Sequence, residues 1–208
     1  AVPDLPVNAD FENGYAEDEE ALARNVKLCV ATGVAGLSIE DATGDPANPL
    51  YDFDTALRRL RIARQAVDET GSGVMLTARA EAYLHGHPDP LPEVCKRLAA
   101  FAEAGADVLY APGPKTAKDM AEVIAAAAGK PVNIIVFADI GMTVAEIAAL
   151  GARRISIGSA LAKAAWTGFI DATAILSEKG SFAGFARNVP SPKLNGFFES
   201  DSRAKGTP

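Results

Sequence analysis

Three times in this chain an alanine-rich stretch of helical periodicity ends on glycine and runs straight into a short β-prone segment. The three joints are Gly33-Val34-Ala35-Gly36-Leu37-Ser38-Ile39-Glu40, Gly105-Ala106-Asp107-Val108-Leu109-Tyr110 and Gly151-Ala152-Arg153-Arg154-Ile155-Ser156-Ile157. Glycine ends a helix at no steric cost because it adopts the left-handed backbone that other residues resist. A helix–glycine–strand joint repeated along one chain is the mark of an α/β architecture whose parallel strands are separated by covering helices.

The segments between the joints fit that reading. Leu91, Val94, Cys95, Leu98, Phe101 and Ala102 form one apolar stripe and predict a helix over 91–104. Leu22, Val26, Cys29 and Val30 do the same near 18–32, and Leu57, Leu60, Ala63 and Val67 near 54–70, with arginines expected on the outer face. Thr116 is expected to cap a helix near 116–128, Thr143 with Glu146 to open another as a capping box, and Ser159 to begin the last long one. Strands are expected at 6–9, 36–39, 74–78, 107–110, 132–136 and 154–157. After about residue 180 the pattern gives way to Gly, Pro and Ser. The expected organisation is therefore a barrel domain over 1–180 and a C-terminal extension with a mobile tail over 181–208.

Composition narrows the function. With 49% hydrophobic and 23% charged residues in 208, the chain can bury a core. A net charge of -7 and the lack of a basic stripe argue against nucleic acid as a partner. No run of apolar residues is long enough to span a bilayer. Cys29 and Cys95 both fall on apolar helical stripes, which suits reduced, buried thiols and a cytoplasmic setting.

Polar residues gather behind the expected strands. Asp10 and Glu12 follow the first, Glu40 and Asp41 the second, Arg79 and Glu81 the third, and Asn133 lies in the fifth. In a barrel these groups converge on the mouth formed by the C-terminal strand ends. Acidic groups there suit a hard divalent cation, and an arginine opposite them suits a carboxylate. Each also has a plainer role: Asp10 and Glu12 as helix caps, Glu40-Asp41 as the start of a solvated loop, Arg79 and Glu81 as a mutual pair. His85 and His87 read as an exposed Pro-rich loop rather than ligands, Lys115 as a solvated helix-start lysine, and Ser159 as an N-cap rather than a phosphate site.

Pro6-Val7-Asn8-Ala9-Asp10-Phe11-Glu12-Asn13-Gly14, Gly36 through Asp41, and Thr77-Ala78-Arg79-Ala80-Glu81-Ala82 resemble three consecutive strand ends of the isocitrate lyase / phosphoenolpyruvate mutase superfamily. Ala104 through Leu109, Pro131-Val132-Asn133 and Gly151 through Ala164 continue the resemblance in order. It implies a (β/α)8 TIM-type barrel, of which about six βα units are present, with two more expected ahead of Ala1. It also implies Mg2+ (or Mn2+), a small 2-oxo or 2-hydroxy carboxylic acid as substrate, a pyruvate-enolate intermediate, and a homo-oligomer, dimer or tetramer. By the same likeness Asp10, Glu40 and Asn8 form the metal shell, Arg79, Glu40 and Asp41 do the catalytic work, and Arg79, Asn133 and Glu81 bind substrate.

The chain also departs from that pattern. Asn8 stands where the family often has an acid. The loop Ala42 through Tyr51, a lid whose polar residues include Asp45 and Asn48, lacks the cysteine of the isocitrate lyases and the lysine of the phosphonomutases. The expected activity is a carbon–carbon lyase, with phosphorus–carbon chemistry and a non-catalytic 2-oxo acid binder as alternatives.

Overall fold

A computed structural model describes residues 5–204. Six strands form one parallel sheet in the order β1 (Asn8–Ala9), β2 (Gly36–Glu40), β3 (Met75–Arg79), β4 (Val108–Tyr110), β5 (Val132–Ile135) and β6 (Arg154–Ser156). Every strand pairs with the next in sequence, and the order never reverses. That progression is an arc of a β/α barrel; a doubly wound sheet would contain a switch point.

Helices α1 (Glu19–Ala31), α2 (Phe53–Asp68), α3 (Pro90–Glu103), α4 (Ala117–Ala126) and α5 (Val144–Ala149) connect the strands. Asp18, Asp52 and Thr116 cap α1, α2 and α4 through their side chains, and Thr143 with Glu146 forms the expected capping box on α5. Because Asp18 does the capping of α1, Asp10 and Glu12 are left free of that role.

Strand alternation separates two faces. Ile39, Ala78, Leu109 and Val132 form one register row, buried in a core that also contains Leu22, Leu60 and Leu98 from the helices. The neighbouring row is Glu40, Arg79, Tyr110, Asn133 and Arg154, one residue from each of β2 to β6. Glu40 and Arg79 thus end their strands instead of following them, because β2 and β3 each run one residue further than their apolar stretches suggested.

Two arginines on the helices are buried, and the one in α2 corrects the expectation that its arginines lie on the outer face. Arg59 in α2 is buried, and its guanidinium donates to the carbonyls of Asn13, Ala16 and Glu17 in the loop after β1. It replaces the water those carbonyls would otherwise need and lies over the Tyr51 ring. Arg97 in α3 is buried too, against Asp41.

Contacts group the chain into one unit ending at Gly158 and another beginning at Ser159. The second contains α6 (Ala160–Lys179), a short 3-10 turn at Ala183–Phe185 and α7 (Ser191–Ala204). Helix α7 lies where the sequence suggested irregular chain. Pro192 sits in its first turn, where a missing N–H costs nothing. Residues 205–208 of the expected mobile tail lie outside the described residues. Among the described residues no helix is long and apolar enough to cross a membrane.

Candidate active site

Arg79, the last residue of β3, is the hub. Its Nη1 meets Asp10 Oδ1 at 2.6 Å, its Nη2 meets Glu40 Oε2 at 3.1 Å, and its Nε donates to Glu81 Oε1 at 2.8 Å. The guanidinium also lies 5.0 Å from the centre of the Tyr110 ring. Burial disfavours its charge, but Glu81 and Glu40 prevail and hold its pKa above the ordinary value.

The carboxylates differ among themselves. Burial pushes Glu40 up to about 7, with Glu81 and Asp10 adding to the rise and Arg79 opposing it. Burial likewise raises Glu81, against the pull of Arg79. Asp10 is the exposed member, fixed by Arg79 and by Ser38 Oγ at 3.4 Å.

A cleft of about 420 Å³ opens over this hub. Asn8, Asp10, Ser38, Arg79, Tyr110, Asn133, Arg154 and Ser156 line it, with Ile135, Ile155 and Gly158. The structure therefore brings Asn8, Asp10, Arg79 and Asn133 together, with Glu40 and Glu81 attached through Arg79. Asn8 Oδ1 sits above Gly36, where an added Cβ would approach it to 2.6 Å.

Asp41 is not brought to the cleft. Its Oδ2 accepts from Arg97 Nη1 at 2.9 Å and its Oδ1 from the Glu81 backbone N–H at 2.8 Å. Burial raises its pKa while Arg97 lowers it. Asp45 and Asn48 are also elsewhere, hydrogen-bonded to each other at 3.2 Å in the exposed loop after β2. His87 accepts from the Asp89 N–H through Nδ1, and neither it nor His85 lines the cleft.

Sequence reasoning missed Tyr110, Arg154 and Ser156. Asn133 Nδ2 donates to Ser156 Oγ at 2.9 Å, and Asn133 Oδ1 accepts from Arg154 Nε at 2.9 Å. The available signal was the two-residue period of β6, which sets Arg154, Ser156 and Gly158 on one face.

For a divalent cation, Asp10 and Glu40 are brought close enough to share one guanidinium, and Asn8 adds an uncharged amide oxygen. No cluster of three or more His, Cys, Asp or Glu with metal-binding geometry occurs among the described residues. Two carboxylates with one amide still fit Mg2+, which keeps several waters and takes few protein ligands.

Active sites of β/α barrel enzymes lie at the C-terminal ends of the strands, and Glu40 and Arg79 stand at those ends of β2 and β3. The family model described as phosphoenolpyruvate phosphomutase matches residues 1–176, and the chain belongs to that family, within the isocitrate lyase / phosphoenolpyruvate mutase superfamily. A solved structure of a putative lyase/mutase from Burkholderia cenocepacia is similar, with a TM-score of 0.87 and 40% identity, covering 94% of this chain and 70% of that one. Escherichia coli 2-methylisocitrate lyase is 30% identical over 112 residues, 51% of this chain and 36% of that protein. An uncharacterized Mycobacterium tuberculosis protein is 29% identical over 154 residues, 74% of this chain. The chain spans 54% of that relative's length.

Proposed function

We propose that this chain carries the catalytic mouth of a Mg2+-dependent carbon–carbon lyase acting on a small 2-oxo acid through a pyruvate-enolate intermediate. The observation that carries the reading is the convergence of Asp10, Glu40 and Glu81 on Arg79 at the foot of a polar cleft.

In this reading Arg79 grips the substrate carboxylate, a bidentate contact that planar guanidinium geometry favours. Glu81 holds Nε of Arg79 and so sets the plane of the fork, and Asp41 fixes Glu81 through its backbone N–H. Asp41 is thereby a positioning residue. Asn133 offers its amide at the cleft wall. Asp10 and Glu40, with the amide oxygen of Asn8, are the residues that would hold Mg2+ or Mn2+. The cation would supply positive charge that offsets charge developing on the substrate. The lid containing Asp45 and Asn48 is tied to the mouth through Asn13 Nδ2, which donates to Thr43 O at 3.1 Å.

A complete eight-unit barrel, a homo-oligomeric state and a cytoplasmic setting belong to the same proposal. Exposed Trp166, Phe169 and Ile170 on α6 support association, and the free thiols of Cys29 and Cys95 support a reducing compartment. Phosphorus–carbon bond chemistry is the second reading, favoured by the family description and disfavoured by a lid without lysine.

The test is release of pyruvate from a panel of 2-oxo and 2-hydroxy acids with Mg2+ and with chelator. Cation-dependent pyruvate formation that disappears in Arg79→Ala supports the lyase. Stabilisation by 2-oxo acids without any product sinks it and leaves a binding protein.

A further inference from the structure

A buried ion pair stands behind the hub. Asp41 and Arg97 are both buried, and neither lines the cleft. Asp41 nevertheless brackets Arg79 from β2. Its backbone N–H donates to Arg79 O at 3.2 Å, and its Oδ1 accepts from the Glu81 N–H at 2.8 Å. Arg79 is thus held between two bonds to one residue, and Glu81 Oε1 returns to Arg79 Nε at 2.8 Å.

Strand β3 ends at Arg79, so the Glu81 N–H lies beyond the ladder and needs an acceptor. An uncharged asparagine would satisfy it. A carboxylate in that place must be paired, and burying an ion pair costs desolvation that can exceed its own attraction. The charge therefore calls for a role besides hydrogen-bond satisfaction. Arg97 Nη1 donates to Asp41 Oδ2 at 2.9 Å and to Tyr51 O at 3.0 Å, while its Nε donates to Glu93 Oε1 at 2.6 Å. The Tyr51 N–H donates in turn to Asp41 O at 2.9 Å, and Ala42 bridges Leu50. Both ends of the loop after β2 are therefore closed on each other at the point where Arg97 grips Asp41. A planar guanidinium with three partners fixes that carboxylate in one orientation, which a flexible ammonium does not.

We propose that Arg97 is a positioning residue for Arg79. Through Asp41 and Glu81 it holds the guanidinium in the plane that receives the substrate carboxylate, and it ties that plane to the neck of the loop after β2. The inference rests on the assignment of Arg79 to the 2-oxo acid carboxylate.

Calorimetric titration of the 208-residue chain with pyruvate in saturating Mg2+ tests it, as a double-mutant cycle between two arginines that do not bond to each other. Arg97→Lys keeps the charge opposite Asp41 and is expected to weaken pyruvate binding roughly three- to tenfold in a folded protein. In an Arg79→Lys background the same change is expected to have no further effect, because the fork it positions is gone. Arg64→Met is the control. Arg64 meets Asp107 at 2.8 Å, ahead of β4 and so at the opposite end of the sheet, and its loss is expected to lower Tm with pyruvate affinity unchanged. Should Arg97→Lys fail to fold, Arg97→Met combined with Asp41→Asn, which buries no unpaired charge, takes its place in the cycle. Unchanged pyruvate affinity in the folded variant, equal losses in both backgrounds, or the same loss in Arg64→Met overturns the inference and leaves the Arg79 assignment standing. Wild-type protein that binds no pyruvate, or binding indifferent to Arg79→Lys, removes both.

Discussion

Asp41 and Arg97 face each other at 2.9 Å with side chains 1% and 6% exposed. Arg97 also binds Glu93 at 2.6 Å and the carbonyl of Tyr51 at 3.0 Å, so one guanidinium ties α3 to the end of β2 and to the loop leading into α2. Removing one partner strands a buried charge. Arg97→Met is expected to cost about 3–5 kcal/mol in urea unfolding, and Asp41→Asn in the same background to recover part of it. A double variant no more stable than Arg97→Met alone would show that the pair is not the source of the loss.

At the hub, Arg79→Ala leaves Asp10, Glu40 and Glu81 without their shared cation. Affinity for 2-oxo acids is expected to fall by about tenfold or more, while Mg2+ binding persists because the cation takes over the charge balance. Calorimetry with each ligand separately reads both. Loss of Mg2+ binding with retained 2-oxo acid binding would reverse the assignment of these residues.

The pH dependence follows from Glu40. Burial holds its carboxyl at about 7 in the folded protein, above its ordinary 4.5, so the folded chain binds this proton more readily than the unfolded one. The associated stability is fully present below the ordinary carboxylate range and is lost as pH rises through about 7. In chelator, Tm is expected to decline from roughly pH 5 to 8, and Glu40→Gln to flatten the decline. Burial raises Glu81 and Asp41 as well, so some slope remains in that variant. With Glu40 as a ligand, Mg2+ would compete with its proton, and Mg2+ affinity is expected to rise over the same interval. A Tm independent of pH in both proteins would contradict this account.

Gly14 turns the loop after β1 with φ of 79°, and a Cβ there would lie 2.3 Å from Leu22 Cδ1 in the core. Gly14→Ala is expected to destabilise the protein by about 1–3 kcal/mol, read as a drop in Tm. The loop bearing Asp10 and Glu12 moves with it, so Mg2+ affinity is expected to fall too. Unchanged stability and affinity would mean that this turn is not what fixes the loop.

The path from sequence to site was uneven. Apolar periodicity located the strands and most helices, because burial on one face leaves a period that survives in the letters. It misjudged Arg59 and gave no reading of Arg97, since a buried arginine that satisfies carbonyls or a carboxylate sits at helical spacing like any solvated one. Asp41 was read beside Glu40 as part of the mouth, yet adjacent residues at a strand end face opposite ways. Asp10 and Arg79 were legible from their place at strand ends, and Asn133 as a polar residue within the fifth strand. Arg154 carried only the two-residue period of β6 as a signal, and its pairing with Asn133 is a property of the folded chain.

Glu40, Arg79, Tyr110, Asn133 and Arg154 each come from a different strand and share one line of the sheet, while the leucine and valine positions lie on the line beside it. Chemistry and scaffold are thus interleaved with a phase of one residue. An inserted or deleted residue inside β3 would exchange Arg79 for Ala78 or Ala80 at the mouth and turn a charge into the core. The same length change in the loop after β2 leaves every phase intact. This geometry gives evolution, or an engineer, wide freedom in loop length and in the identity of each row residue, and almost none in strand phase.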